Sequence, residues 1–141
     1  MADDVGARAQ ITELRHRYCW AYDDGDVETL GTLFTADGLV DLGDWGLFQG
    51  TAEIVEGFRR QVTPAGEPRT TLHTLTTSVI DVDSGAGTAD GRWYVVVYHP
   101  PREGDPHPVR FVGRYFDTYR LESDRWLLTS IRLEQFWFAG Y

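Results

Sequence analysis

Ile11, Leu14, Tyr18 and Tyr22 recur at helical spacing and lay one apolar stripe along a predicted helix from about Val5 to Tyr22. His16, Arg15 and Arg17 fall on or near its margins. The stripe turns aromatic, with phenol oxygens, as the helix ends in Arg17-Tyr18-Cys19-Trp20-Ala21-Tyr22-Asp23-Asp24-Gly25-Asp26. Gly25 suits the left-handed conformation that closes a helix, and Asp26 stands where the N-cap of the next one belongs. A second helix is predicted over Val27 to Phe34, with Asp37-Gly38 breaking it, and a short strand over Leu39 to Leu42. Gly43-Asp44-Trp45-Gly46 reads as a turn, and Leu47-Phe48-Gln49 as a short return strand. Thr51 is read as the N-cap of a third helix that turns Ile54, Val55, Phe58 and Val62 inward before Pro64 and Gly66 end it.

After Gly66 the period changes from helical to alternating. Thr70 to Val82 is rich in Thr, Val and Ile and closes at Asp83-Ser84-Gly85-Ala86-Gly87. Thr88 to His99 contains Trp93-Tyr94-Val95-Val96-Val97-Tyr98, whose bulk predicts cover on both faces along part of its length. A proline-rich loop spans Pro100 to Pro108. Val109, Phe111, Gly113, Tyr115, Asp117 and Tyr119 then alternate against Arg110, Val112, Arg114, Phe116, Thr118 and Arg120. Glu122-Ser123-Asp124 is a turn, and Arg125 to Phe138 a last long strand. Three helices followed by long hairpin-linked strands define an α+β architecture. A curved sheet with the helices covering its hollow side forms a cone that closes at one end and stays open at the other. Its helix–strand junction, where phenols and acids reach the edge of an apolar interior, is a wet-ended pocket.

Composition narrows the use of that pocket. The 141 residues fit one domain, 1–141, with a single core. Five Trp, seven Tyr and seven Phe are more than a small core needs, which favours a flat apolar ligand or an interface. The formal charge of −9 argues against nucleic acid or an anionic membrane as partner. One cysteine, Cys19, leaves no internal disulfide and reads as a buried thiol rather than a nucleophile. The acidic start, Met1-Ala2-Asp3-Asp4, has no secretory pattern and no segment approaches a membrane span, so a cytoplasmic location is expected. No His, Cys or carboxylate cluster has metal-ligand spacing, and neither a glycine-rich nucleotide loop nor a Gly-x-Ser-x-Gly elbow occurs, so no cofactor is expected. Phe136, Trp137 and Phe138 crowd together, and the outer sheet face needs a cover. A back-to-back homodimer supplies one, and a mass near 16 kDa by light scattering would count against it.

The order of Arg17-Tyr18, Tyr22-Asp23, Gly25-Asp26 and Leu33-Phe34-Thr35-Ala36-Asp37-Gly38 resembles the SnoaL-like group of the nuclear-transport-factor-2-like superfamily. Gly50 ahead of Ile54 and Phe58, Thr71-Leu72-His73, and Arg125-Trp126 continue the resemblance over nearly the whole length. It implies the cone fold; the fold itself hosts dehydratases, isomerases, epoxide hydrolases, cyclases and non-catalytic proteins. Tyr22-Asp23 and His73 are most similar to scytalone dehydratase and its relatives, and the general pocket to SnoaL-type polyketide cyclases. That similarity implies His73 as general acid/base, Asp23 as its orienting carboxylate and Tyr22 beside them. From the residues themselves, Tyr18 and Tyr22 can donate to a developing oxyanion. A second pocket histidine in that enzyme aligns with Tyr98, or with His99 after one residue of slip. Trp45, Phe48, Trp93, Tyr98, Tyr115 and Phe116 are the candidate walls for a planar substrate.

From the residues alone, Asp23 and His73 can instead be a helix cap and a hydrogen-bonded core histidine, and each ring can be plain packing. The expected activity is dehydration or cyclisation of a cyclic, polyketide-type small molecule. Epoxide opening or isomerisation in the same pocket, or ligand binding without chemistry, stand as the alternatives.

Overall fold

The computed structural model describes residues 4–104 and 107–138; within β6 the side chain of Phe138 lies outside that set, as do Met1 to Asp3 and residues 105–106 of the proline-rich loop. Three helices, α1 (Asp4–Asp24), α2 (Val27–Thr32) and α3 (Thr51–Arg59), pack on a six-stranded sheet. Its strands are β1 (Phe34–Asp41), β2 (Leu47–Gln49), β3 (Leu72–Asp83), β4 (Thr88–Tyr98), β5 (Val109–Glu122) and β6 (Arg125–Phe138). They run in the spatial order β2-β1-β6-β5-β4-β3. All neighbours are antiparallel except β1 and β6, which are parallel. The expected α+β cone of mixed sheet and helices is the fold observed.

The sheet curves where its ladders slip. Register shifts fall between Thr76 and Val79 of β3, and in β5 at Val112/Gly113 and Thr118/Tyr119. Thr77 takes a positive φ of 55° at the β3 irregularity. An extra residue in one strand bends it and sharpens the local twist, which is how a long sheet wraps a core. The enclosed face carries Val95, Val97, Tyr115, Tyr119, Leu128 and Ile131, all buried, against Ile11, Tyr18, Leu30, Ile54 and Phe58.

Four local expectations change. The second helix stops at Thr32, because Leu33 caps it and Phe34 already pairs with Leu128 of β6. Asp37-Gly38 is therefore an irregularity inside β1 rather than a helix breaker. Gly50, with no side-chain cap, occupies the N-cap of α3; Thr51 is the first helical residue, and Glu53 accepts from the Gln49 amide instead. β4 alternates, with Trp93, Val95 and Val97 buried and Tyr94 exposed, so only one face is closed. Arg15, placed on the margin of the first helix, is fully buried.

The end of α1 follows its sequence. Gly25 adopts φ 74°, and a Cβ there would stand 2.2 Å from the Thr63 carbonyl oxygen, so no other residue fits. Asp26 caps α2, accepting from the Thr29 amide at 3.1 Å and hydroxyl at 2.6 Å. This turn fixes where Tyr22 and Asp23 leave the helix.

Candidate active site

Asp23 is nine-tenths buried, and three donors converge on it. The His73 amide donates to Oδ2 at 2.7 Å, the Thr71 hydroxyl to Oδ1 at 3.0 Å, and His73 Nδ1 lies 2.7 Å from Oδ1. An ionised carboxylate only accepts, so the proton of that last bond sits on Nδ1. In the neutral imidazole this leaves the lone pair on Nε2, the nitrogen that can take a proton. The strand supplies the geometry. Thr71 and His73 are two residues apart, so both reach the same side of the chain toward the end of α1.

A cavity of about 320 Å³ opens in front of this dyad. Tyr18, Tyr22 and His73 line it together with Trp45, Phe111, Tyr115 and Leu133. Tyr22 packs on the imidazole with ring centroids 4.5 Å apart and also meets Phe58 edge-on. Its hydroxyl lies 3.4 Å from Gln61 Oε1, and Gln61 in turn donates to the Trp45 carbonyl at 2.6 Å. Burial pushes the Tyr22 phenol up to about 12 against the pull of Arg110, and the Asp23 charge pushes the same way as burial. Burial likewise raises Tyr18 and Tyr115, and the Tyr115 phenol pushes Tyr18 further the same way. All three phenols are therefore proton donors near neutrality.

Behind the floor of the cavity lies a buried charge. The Arg15 guanidinium is stacked between Tyr18 and Tyr115, 4.5 Å and 4.2 Å from their centroids. Its Nε stands 2.9 Å from Asp117 Oδ2, but the plane is turned so that none of its N–H groups makes an aligned hydrogen bond. Burial drives the Asp117 carboxyl up, opposed by Arg15 and by the Tyr119 hydroxyl, which donates to it at 2.5 Å. Trp93 Nε1 completes the chain by donating to Tyr119 at 3.1 Å.

Of the residues singled out in the sequence, Tyr18, Tyr22, His73, Trp45 and Tyr115 meet at the cavity, with Asp23 directly behind His73. Four lie elsewhere. Trp93 belongs to the closed end of the cone, where it binds Tyr119 and meets His16 edge-on. Phe116 points to the outer face, beneath the guanidiniums of Arg114 and Arg132. Phe48 packs against Phe58 and into the space left by Gly46 and Gly57. Tyr98 is on the opposite face of β4 from the buried Val95 and Val97, and buried His99 turns Nδ1 to the Pro100 carbonyl, 2.7 Å away. Neither lines the cavity, so it contains one histidine.

Thr71, Gln61, Arg60 and Arg110 at the cavity were not singled out. Thr71 could have been found from its i−2 spacing to His73, whereas Gln61 and Arg60 reach it only because α3 ends there. Cys19 is buried, and burial pushes its thiol up to about 12, far from nucleophilic. Among the described residues, no helix is long and apolar enough to cross a membrane, and no three His, Cys, Asp or Glu residues cluster as a metal site.

Residues 3–132 match the profile of the SnoaL-like domain, and the chain belongs to that family. Solved structures share the fold. A candidate scytalone dehydratase from Novosphingobium aromaticivorans superposes with a TM-score of 0.81 at 22% identity, over 98% of this chain and 89% of that one. Aln2 from a Streptomyces species gives 0.78 at 18% identity, over 96% and 94%. A type 2 hexachlorocyclohexane dehydrochlorinase gives 0.79 at 15% identity, over 97% and 90%. At these identities the likeness establishes the fold. A search of curated proteins found no significant match.

Proposed function

We propose that the chain is a cofactor-independent lyase or cyclase that works on a cyclic, polyketide-type ketone through His73. The observation that carries this reading is the 2.7 Å contact of His73 Nδ1 with the buried Asp23, at the wall of an aromatic-lined cavity. In an elimination, Nε2 takes the proton from the carbon next to the carbonyl, and the electron pair of that C–H bond forms the enolate. Tyr22, and behind it the Tyr18–Tyr115 pair, hold phenol protons toward the enolate oxygen. As the enolate collapses to the alkene, the β-hydroxyl leaves with the proton from Nε2 as water. One imidazole serves both steps when the proton and the hydroxyl lie on one face of the ring. Dehydratase and dehydrochlorinase neighbours on the same fold are named for eliminations, which supports this class over ligand binding alone.

The test is conversion of a β-hydroxytetralone to the naphthol, followed by ultraviolet absorbance. His73→Ala is expected to lower turnover about 10²–10⁴-fold while the protein stays folded. Near-normal turnover in a folded His73→Ala protein defeats the mechanism for any substrate.

A further inference from the structure

The cavity mouth carries a charge that the elimination does not use. Arg60 and Arg110 both line it, on a chain whose formal net charge is −9. They are not equivalent. Arg60 Nε lies 3.5 Å from Glu56 Oε1, one helical turn back, so its charge is partly answered. Arg110 stands at the start of β5 with its guanidinium over the Trp45 ring, 5.7 Å from the centroid, and no carboxylate pairs with it among the described residues. Its field reaches into the site, because it opposes the burial of the Tyr22 phenol. The acid of the site, Asp23, is already committed to Thr71 and His73.

We infer that Arg110 is a specificity-determining residue that binds a carboxylate or ionised phenol on the substrate, so that the ligand class is an anionic aromatic or cyclic keto acid. This inference rests on the cavity being the substrate pocket. Arg110, Tyr22 and His73 line the same cavity, and the Tyr22 ring packs on the His73 imidazole, so an anion held by Arg110 shares that cavity with the base. A guanidinium presents a planar fork that fits a carboxylate with two parallel hydrogen bonds, and Arg110 holds that fork over the Trp45 ring. An unpaired cation at the mouth of a pocket on an acidic protein also counters the repulsion an anionic ligand meets on approach. The Gln61 amide and the Tyr22 hydroxyl, both at the cavity, provide neutral hydrogen-bonding groups beside it.

The experiment is calorimetric titration at pH 7 with 2-naphthoate and with the isosteric neutral 2-naphthamide. The wild-type protein is expected to prefer the carboxylate by about tenfold or more, the scale of a charge-assisted hydrogen-bonded pair. Arg110→Ala should abolish that preference, weakening the carboxylate about tenfold more than the amide. Arg110→Lys should restore only part of it, and Arg60→Ala should reduce it less than Arg110→Ala does. Equal affinity for the two probes, no detectable naphthoate binding, or a preference that survives Arg110→Ala overturns the inference. His73→Ala should keep the full preference while losing turnover, so failure of the elimination chemistry and failure of the anion site are read separately.

Discussion

Asp23 and Asp117 are both buried aspartates facing a nitrogen base from another element, yet they do opposite work. Asp23 meets His73 with three aligned donors, and the partner imidazole opens on a cavity. Asp117 meets Arg15 in a sealed interior, with the guanidinium nitrogens poorly aligned and stacked between phenols. Histidine can release and regain a proton near neutrality, whereas arginine cannot. The first pair therefore has the chemistry that the proposed proton transfer requires, and the second does not. The lesson is that burial and an ion pair do not identify chemistry; a titratable partner with access to a cavity does.

The sharpest way to break this contrast is to neutralise each acid in turn. Asp23→Asn removes the negative charge and turns one of two acceptor oxygens into a donor NH2 facing three donors. Turnover should fall by about two orders of magnitude or more with the fold retained. A folded Asp23→Asn protein with wild-type kcat would end the distinction. Asp117→Ala leaves Arg15 as an uncompensated buried charge, and the urea midpoint should report a loss of about 3–5 kcal/mol. The double change Asp117→Leu with Arg15→Leu should recover much of that loss, because the unpaired charge goes with its partner. If the single and double variants are equally unstable, the pair is not the unit proposed here.

A smaller effect sharpens the comparison at high pH. The Tyr22 phenol is pushed up to about 12 in the folded protein, first by burial, against an ordinary value of 10.0. Its contribution to stability is complete below pH 10, where the phenol is protonated in both states. As pH rises from about 10 to about 12, the unfolded chain ionises first, and the contribution is lost. Urea midpoints across that window should fall less steeply for Tyr22→Phe than for the wild type; identical slopes would show that Tyr22 is not held protonated by the fold.

Much of this architecture is legible in the chain because its periods change cleanly. The stripe Ile11, Leu14, Tyr18, Tyr22 and the alternation from Val109 to Tyr119 each specify an element and a face. Gly25-Asp26 specifies a turn for steric and capping reasons that hold locally. What stayed hidden depends on distance along the chain. Phe34 pairs with Leu128, and nothing near Phe34 announces a strand rather than the end of a helix. Arg15 sits between Ile11 and Tyr18 on the apolar side, and Asp117 interrupts the inward row of β5; each looks misplaced until the two are brought together. Trp93 and Phe116 were read as walls because aromatics suit flat ligands, but strand parity and the closed end of the cone decide where they point. Arg110 was passed over because it lies on the outward-numbered side of β5, where the ladder slips between Val97 and Tyr98 and its position escapes simple alternation.

The parallel pairing of β1 with β6 has a consequence for how the molecule is made. Antiparallel neighbours β3, β4, β5 and β6 can zip successively as hairpins, each closing a short loop. β1 must wait, because Phe34 finds Leu128 only after more than half the chain has been synthesised between them. Closing so long a loop is entropically slow, and a nascent chain halted before Arg125 leaves β1 and β2 with no sheet to join. In such a chain α1 already has β3 to pack on, whereas α3 has only α2 and the two-stranded ribbon of β1 and β2, which is marginal in water. The Asp23–His73 contact does not share that delay: Asp23 comes with α1 and His73 with β3, so the two meet where that helix packs on that strand, whether or not β1 has found β6.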